Sequence, residues 1–228
     1  ENYTLRLSLR DKNDAEKYFG NDELWEKSEN ALRQIIKATG ANYYEAEGEA
    51  AFYGPKIDVQ VKSALGHEVT LSTVQLDYQL PEKFQLEYVD ENNQKQRPVV
   101  IHRAILGSLD RFIAFLLEET KGLLPLWLAP VQVKVLTLTE RNNSYAKKVY
   151  ENLLQNGFRA ELDERNEKIG YKIREALSMK IPYLIIVGDE EEKNETISIR
   201  GRGFENKSGL KLTDFVSRMQ EEIKTKKI

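Results

Sequence analysis

The spacing of apolar residues changes once along this chain, and that change constrains the fold more than any other feature. Near the start, Tyr3, Leu5, Leu7 and Leu9 alternate with Thr4, Arg6, Ser8 and Arg10, the two-residue period of a half-buried strand. Ile57, Val59 and Val61 alternate with Asp58, Gln60 and Lys62 in the same way. The turn Leu65-Gly66-His67 joins that strand to Val69–Asp77 as a predicted hairpin. Between them, Asn21 or Asp22 can cap a helix carrying Leu24, Trp25, Ser28, Leu32, Ile35 and Ile36, which Gly40 closes. The stretch DENNQKQ (90–96) reads as a polar loop before a strand at Pro98–Ile101. That strand ends on His102–Arg103, and a helix of about 15 residues is predicted to begin at once. On that helix Ala104, Ser108 and Arg111 share one face, and Ile105, Leu109, Phe112, Ile113 and Leu116 share another. Strands with turn signals followed by a helix predict a largely antiparallel sheet backed by helices.

Further along, strands and helices alternate. Val131–Leu138 is an apolar strand, and Tyr145, Ala146, Val149, Tyr150, Leu153 and Leu154 form a helical stripe ending at Gly157. Phe158–Leu162 is a strand; Ile169, Ile173, Ala176 and Leu177 mark a helix. Tyr183–Val187 and Thr196–Ile199 are strands, and Phe215, Val216, Met219 and Ile223 mark a last helix. The order βαβαββα predicts a mixed sheet covered by helices. The two rhythms meet in GLLPLWLAPVQV (122–133), interrupted by Pro125 and Pro130, so the domain boundary is expected near Pro130. The expected fold class is α+β for residues 1–129 and α/β for residues 130–228.

With 228 residues, 40 % of them hydrophobic, the chain can bury one large core or two ordinary ones. No apolar run approaches the roughly 20 residues that span a bilayer, and the start does not resemble a signal peptide. There is no cysteine, which excludes a disulfide scaffold and fits a cytoplasmic protein. With only His67 and His102, a His-rich metal site cannot be complete within the chain. Residues 130–228 carry 19 Lys and Arg against 16 Asp and Glu, while residues 1–129 carry 15 against 21. The basic lean of the second part is a weak pointer to nucleic acid.

Several stretches admit two readings. A lone histidine at the end of an apolar strand, such as His102, is ordinarily a core or edge residue, yet it can ligate a metal. Arg111 can be a rim residue whose stem covers the core, or a planar cation for phosphate or a nucleobase, with Gly107 and Ser108 letting a ligand approach. Tyr53-Gly54-Pro55-Lys56 is by default a turn, but it also sets a hydroxyl and a cation at the start of a strand. In TLSTVQLDYQLP (70–81), Thr73 and Gln75 share one face as hydrogen-bonding groups, a pattern that a half-buried strand explains equally well.

Taken together, FYGPKID, STVQLDYQLP, RPVVIHRAILGSLDRF, WLAPVQV and RNEKIGYKIREA resemble the threonyl-tRNA synthetase family, in that family's order and from about Tyr3 to Ile223. The TLSTVQLD form is similar to that of Gram-positive-type bacterial members. The resemblance implies an ATP-dependent threonine–tRNA ligase: the later half of a class II catalytic domain in residues 1–129, including motif 3, and an anticodon-binding domain in residues 130–228. Motifs 1 and 2, any editing domain and the other zinc ligands would precede Glu1, which reads as a truncation point. By the same resemblance Tyr53 and Gln75 line the threonine pocket, with Thr73 and Ser108 on its wall. Lys56 lies near the reacting carboxylate and phosphate, Arg111 lies against ATP, which carries magnesium, and His102 is the last zinc ligand. Zinc holding the amino and hydroxyl groups of threonine would reject valine, which lacks the hydroxyl. Asn166, Lys168, Arg174, Glu191 and Arg200 match positions that read anticodon bases of the threonine tRNA. The complete enzyme would be a cytoplasmic homodimer with no membrane partner.

Two departures stand out. Ala50 replaces a glycine of the usual GEGAFYGPK, and Thr70 stands where members with QCGTVQLD have glutamine. From another class, a non-catalytic synthetase-like paralogue that binds RNA or protein also fits a chain of this extent. Retention of Tyr53, Lys56, His102 and Arg111 speaks for the enzyme.

Overall fold

The computed structural model describes residues 3–18, 22–202 and 206–227. It divides into two compact units, Glu1–Glu119 and Thr120–Ile228.

The first unit contains β1 (Tyr3–Leu9), α1 (Asp22–Ala38), β2 (Tyr43–Glu47), β3 (Lys56–Lys62), β4 (Glu68–Asp77), α2 (Gln79–Lys83), β5 (Tyr88–Val89), β6 (Lys95–Gln96), β7 (Val100–Ala104) and α3 (Leu109–Thr120). Five strands form a sheet in the order β2-β1-β3-β4-β7. Only the β1–β2 pair is parallel. Its odd-numbered β1 residues do what their alternation predicts: Leu7 packs with Leu32 and Ile36 of α1, flanked by Leu5, Leu9, Tyr43, Ile57 and Leu76. The opposite face of the same strands carries Arg6, Ser8, Lys56, Asp58, Thr73 and Gln75.

Helix α1 starts with Asp22 and Glu23 and ends with Lys37, charges that complement its dipole. Of the two cap candidates, Asn21 lies outside the described residues. Gly40, at φ +68°, closes the helix in the left-handed region. Ile35 is exposed rather than part of the buried stripe. Ala50 is buried with Tyr18 and Trp25 and does not have positive φ, so its methyl group is accommodated. Gly54 is a different case. A Cβ there would lie 1.9 Å from the carbonyl oxygen of Leu76, so only glycine lets the turn at residues 53–55 lie on β4.

The strand before α3 runs further than expected. Pairing continues through Gln75↔His102 to Thr73↔Ala104, so Ala104 belongs to β7 and not to a helical face with Ser108 and Arg111. Bends follow, with Gly107 at φ +60°, and α3 covers 12 residues. The loop at residues 90–96 is a turn between the short strands β5 and β6. There Asp90 Oδ1 accepts the backbone N–H groups of Asn92 (2.9 Å) and Gln94 (2.8 Å).

The second unit contains β8 (Val133–Thr137), a 3-10 turn at Glu140–Asn142, α4 (Asn143–Gln155), β9 (Ala160–Asp163), α5 (Ile169–Ser178), β10 (Tyr183–Val187), α6 (Asp189–Asn194), β11 (Ile197–Gly201), β12 (Lys207–Leu210) and α7 (Leu212–Lys224). The sheet order is β12-β11-β10-β8-β9, with β8, β9 and β10 parallel and the other pairs antiparallel. One face packs Val133, Val135, Tyr183, Ile185 and Val187 against Ala146, Val149, Leu153, Phe215 and Met219. The other packs Leu136 and Leu184 against Ala176, with Ile173 alongside. Leu126 joins the first of these cores. Arg159 donates to the carbonyls of Trp127 and Ala129, which ties residues 126–129 to this unit. The mixed sheet covered by helices is as expected, with a short helix α6 and an edge strand β12 in addition.

Candidate functional site

The register of the first sheet brings residues distant in sequence into one line. Ser8 pairs with Lys56, Lys56 with Gln75, and Gln75 with His102. Residues directly opposite in a sheet share a face, so Ser8, Lys56, Gln75 and His102 form a row across four strands. Two residues along, Arg6, Asp58 and Thr73 form a second row on the same face.

Asp58 organises the end of this face around Lys56. It is 1 % exposed, and its Oδ2 accepts from Lys56 Nζ (2.5 Å), Ser8 Oγ (2.8 Å) and Arg6 Nη2 (2.9 Å). Burial pushes the Asp58 carboxyl up, but the hydrogen bonds from Lys56, Thr73 and Arg6 outweigh it and hold its pKa below the ordinary value. Arg6 also pairs with Glu49 at 3.3 Å, so the two cations are matched by two carboxylates and the Lys56 ammonium is fixed in place. The buried Thr73 hydroxyl sits beside Asp58 and helps to hold its charged form.

Tyr53 reaches the row from the turn that Gly54 permits. Its hydroxyl donates to Gln75 Oε1 at 2.6 Å, which leaves the Gln75 amide N–H groups as donors. Burial, then the charge of Asp77, raise the Tyr53 pKa, so the phenol stays a neutral donor. The Tyr53 ring meets the His102 ring edge-on at 5.8 Å. His102 Nε2 lies 2.7 Å from Asp77 Oδ2.

Tyr53, Lys56, Thr73, Gln75 and His102 are thus brought together on one face. No hydrogen bond or ion pair among the described residues joins Ser108 or Arg111 to it, although a Cβ on the neighbouring Gly107 would lie 3.3 Å from the Leu71 carbonyl oxygen of β4. The Ser108 hydroxyl accepts the Arg111 backbone N–H at 3.3 Å, the contact of a helix N-cap, and the Arg111 side chain is exposed. Asp58 and Asp77 were not singled out from the sequence. The signal was there, since each stands two positions from a candidate on its own strand. No group of three or more His, Asp or Glu among the described residues is placed to hold a metal ion. His102 alone can offer one ring nitrogen to a metal, the other being held by the Asp77 carboxylate. No described helix is long and apolar enough to cross a membrane.

In the second unit the candidates gather on the α5 side of the sheet. Asn166 and Lys168 lie in the exposed approach to α5, and Arg174 is exposed on it. Arg200 pairs with Leu184 and Ser198 with Ile186, residues that face α5. Glu191 joins them through Ser198, whose hydroxyl donates to Glu191 Oε1 at 2.6 Å, while Oε2 accepts the Gly188 N–H at 3.0 Å. Asn142 fixes α6 by donating to Asp189 (2.9 Å) and Glu192 (3.0 Å). Beneath α5, the buried Lys172 ammonium donates to Thr137 O and Oγ1 (both 3.1 Å) and to Asp163 O (3.2 Å), fixing the helix against β8 and β9.

The family model described as the tRNA synthetase class II core domain (G, H, P, S and T) matches residues 4–120, and the one described as the anticodon binding domain matches residues 132–222. The chain belongs to the class II tRNA synthetases of that group. Within it, the chain is similar to the threonine–tRNA ligase of Bacillus velezensis, 54 % identical over 97 % of this chain and 35 % of that protein. It is also similar to threonine–tRNA ligase 1 of Bacillus subtilis, 53 % identical over the same shares. Both come from Gram-positive bacteria, whose form the TLSTVQLD stretch resembles. Among solved structures it matches the RNA binding domain of threonyl-tRNA synthetase from Cryptosporidium parvum. That match has a TM-score of 0.86 and 37 % identity, covering 96 % of this chain and 55 % of that one. The chain thus spans about a third of the length of the curated relatives it matches.

Proposed function

We propose that this chain is part of a threonine–tRNA ligase, contributing half of a threonine-activating site and a complete anticodon-reading domain. The observation that carries the reading is the row Ser8–Lys56–Gln75–His102. Of these, Lys56, Gln75 and His102, which the family resemblance assigns to the substrate and metal positions, come into register from strands far apart in sequence.

Activation joins the threonine carboxylate to the α-phosphate of ATP and releases pyrophosphate. Lys56, fixed by Asp58, would compensate the negative charge where carboxylate and phosphate meet, a preorganised electrostatic role. Gln75, with its carbonyl held by Tyr53, would donate its amide N–H groups to the substrate, with Thr73 and Ser108 on the pocket wall. Arg111 would offer its guanidinium to ATP, which brings magnesium. Zinc, held by His102 and by ligands outside this chain, would bind the amino and hydroxyl groups of threonine. The domain limits that go with this reading are residues 1–129 and 130–228, although residues 120–129 pack with the second compact unit. Asn166, Lys168, Arg174, Glu191 and Arg200 would read the anticodon of the threonine tRNA, in a cytoplasmic homodimer.

The test is threonine-dependent ATP–pyrophosphate exchange in the longer protein to which this chain would belong. Lys56→Ala and Gln75→Ala should each lower the rate by about 100- to 1000-fold, the loss typical of one preorganised donor. The 228-residue chain by itself should give no exchange. Full activity in both variants would contradict the assignment, and a longer protein without any exchange would favour a non-catalytic synthetase-like protein.

A further inference from the structure

Asp77 has no role in the reading above, yet it is as deeply buried as Asp58 on the same face. It ends β4, is 1 % exposed, and divides its two oxygens between different tasks. Oδ1 accepts the backbone N–H groups of Gln79 (2.8 Å) and Leu80 (3.0 Å), which anchor it at the start of α2. Oδ2 meets His102 Nε2 at 2.7 Å. The histidine side chain is 40 % exposed, so the ring bridges a buried carboxylate and the open face.

An ionised carboxylate only accepts hydrogen bonds. The imidazole nitrogen against it must therefore carry the proton, which makes the neutral ring the Nε2–H tautomer. Its Nδ1 then has a free lone pair, and among the described residues Nδ1 has no hydrogen-bond partner. The Tyr53 ring, edge-on at 5.8 Å, restricts rotation from the other side. Tyr53 is itself tethered to Gln75, so the imidazole is held in both proton position and orientation.

We infer that Asp77 is a positioning residue: it locks His102 as the Nε2–H tautomer and makes Nδ1 the nitrogen offered to a divalent cation. A metal-bound imidazole whose second nitrogen donates to a carboxylate is a general arrangement, and removing the carboxylate costs about 10- to 100-fold in metal affinity. The inference rests on the reading above only for the identity of the cation. The tautomer belongs to this chain's own residues.

Two measurements separate those parts. The first uses the ¹⁵N-labelled 228-residue chain at pH 8 and long-range ¹H–¹⁵N correlation of its imidazole rings. With only His67 and His102 present, His67→Gln assigns the signals. The wild-type His102 should show protonated Nε2 and unprotonated Nδ1. Asp77→Asn keeps the shape and an acceptor for the Gln79 and Leu80 amides, but it can turn an N–H toward the ring and should shift the population toward the Nδ1–H tautomer. A wild-type ring already in the Nδ1–H form, or one unmoved by Asp77→Asn, would overturn the inference, and the wild-type spectrum needs no variant to fold.

The second measurement titrates zinc alone into the longer protein. Asp77→Asn should weaken zinc about 10- to 100-fold, and Asp77→Glu should recover part of the loss. Unchanged zinc affinity in Asp77→Asn would overturn the positioning role while leaving zinc in the proposed function. Failure of the wild-type protein to bind zinc would overturn that part of the proposed function, while the tautomer result would still decide for or against the Asp77–His102 pairing.

Discussion

The two units bury their apolar residues very differently. In the second, helices cover both faces of the sheet, and its main core holds Val133, Val135, Leu153, Ile185 and Met219 at 0–1 % exposure. In the first, one helix packs one face of the sheet around Leu7, Leu32 and Ile36, while α3 has no buried residue at all. Ile105, Leu106, Leu109, Ile113 and Leu117 are all exposed around it. A sheet or helix stripe must bury its apolar side to contribute stability. The second unit is therefore a closed structure, whereas the first presents chemistry on one face and leaves an apolar helix uncovered.

The largest effect should be on autonomous folding. Residues 120–228 expressed alone should give a dispersed amide spectrum and one cooperative unfolding transition. Residues 1–119 alone should unfold at markedly lower denaturant, and the comparison breaks if the two units are equally stable. Next comes the cost of single truncations. Leu153→Ala removes a fully buried side chain and should destabilise the second unit by about 2–5 kcal/mol. Leu109→Ala, at a position 64 % exposed, should stay within about 0.5 kcal/mol in denaturant unfolding of the chain. A loss at Leu109 as large as that at Leu153 would show that α3 is covered in solution.

The smallest effect concerns acid. Asp58 has a pKa below its ordinary 3.8 despite burial, because Lys56, Thr73 and Arg6 hydrogen-bond its charged form. A depressed carboxyl stabilises the fold fully above the unfolded value and loses that contribution as pH falls through the folded one. Stability of the first unit should therefore decline below about pH 4. Asp58→Asn should flatten that decline, as read by unfolding midpoints between pH 2 and pH 5. An unchanged slope would mean the network around Lys56 is not formed.

What could be read from the sequence follows from where side chains repeat. The alternations Tyr3–Leu9 and Ile57–Val61, and the stripes of α1, α4, α5 and α7, recur in the fold because each buries a regular apolar side. Helix α6, with the sequence DEEEKN, has no apolar stripe to announce it; Asn142, Gly188 and Glu191 hold it instead. Strand β12, KSGL, is a short edge. The end of β7 is hidden in the sequence because Ala104 and Ile105 fit a helical period as well as a strand, and only the pairing of Ala104 with Thr73 decides. The same holds for the site. Tyr53, Lys56, Gln75 and His102 stand out by type and motif; spacing puts Asp58 and Asp77 on the same strand faces as Lys56 and Gln75, but their partners come only from cross-strand register.

The proposed tRNA reading belongs to the closed unit, and the open one would supply only half of the activation chemistry. Binding of the 228-residue chain to the threonine tRNA and to the same tRNA with its anticodon exchanged, at low salt, tests that division most directly. The chain should bind the threonine tRNA about tenfold more tightly, and Arg200→Ala should reduce that preference while leaving the salt-dependent background largely in place. Equal binding of the two RNAs by the wild-type chain would contradict it.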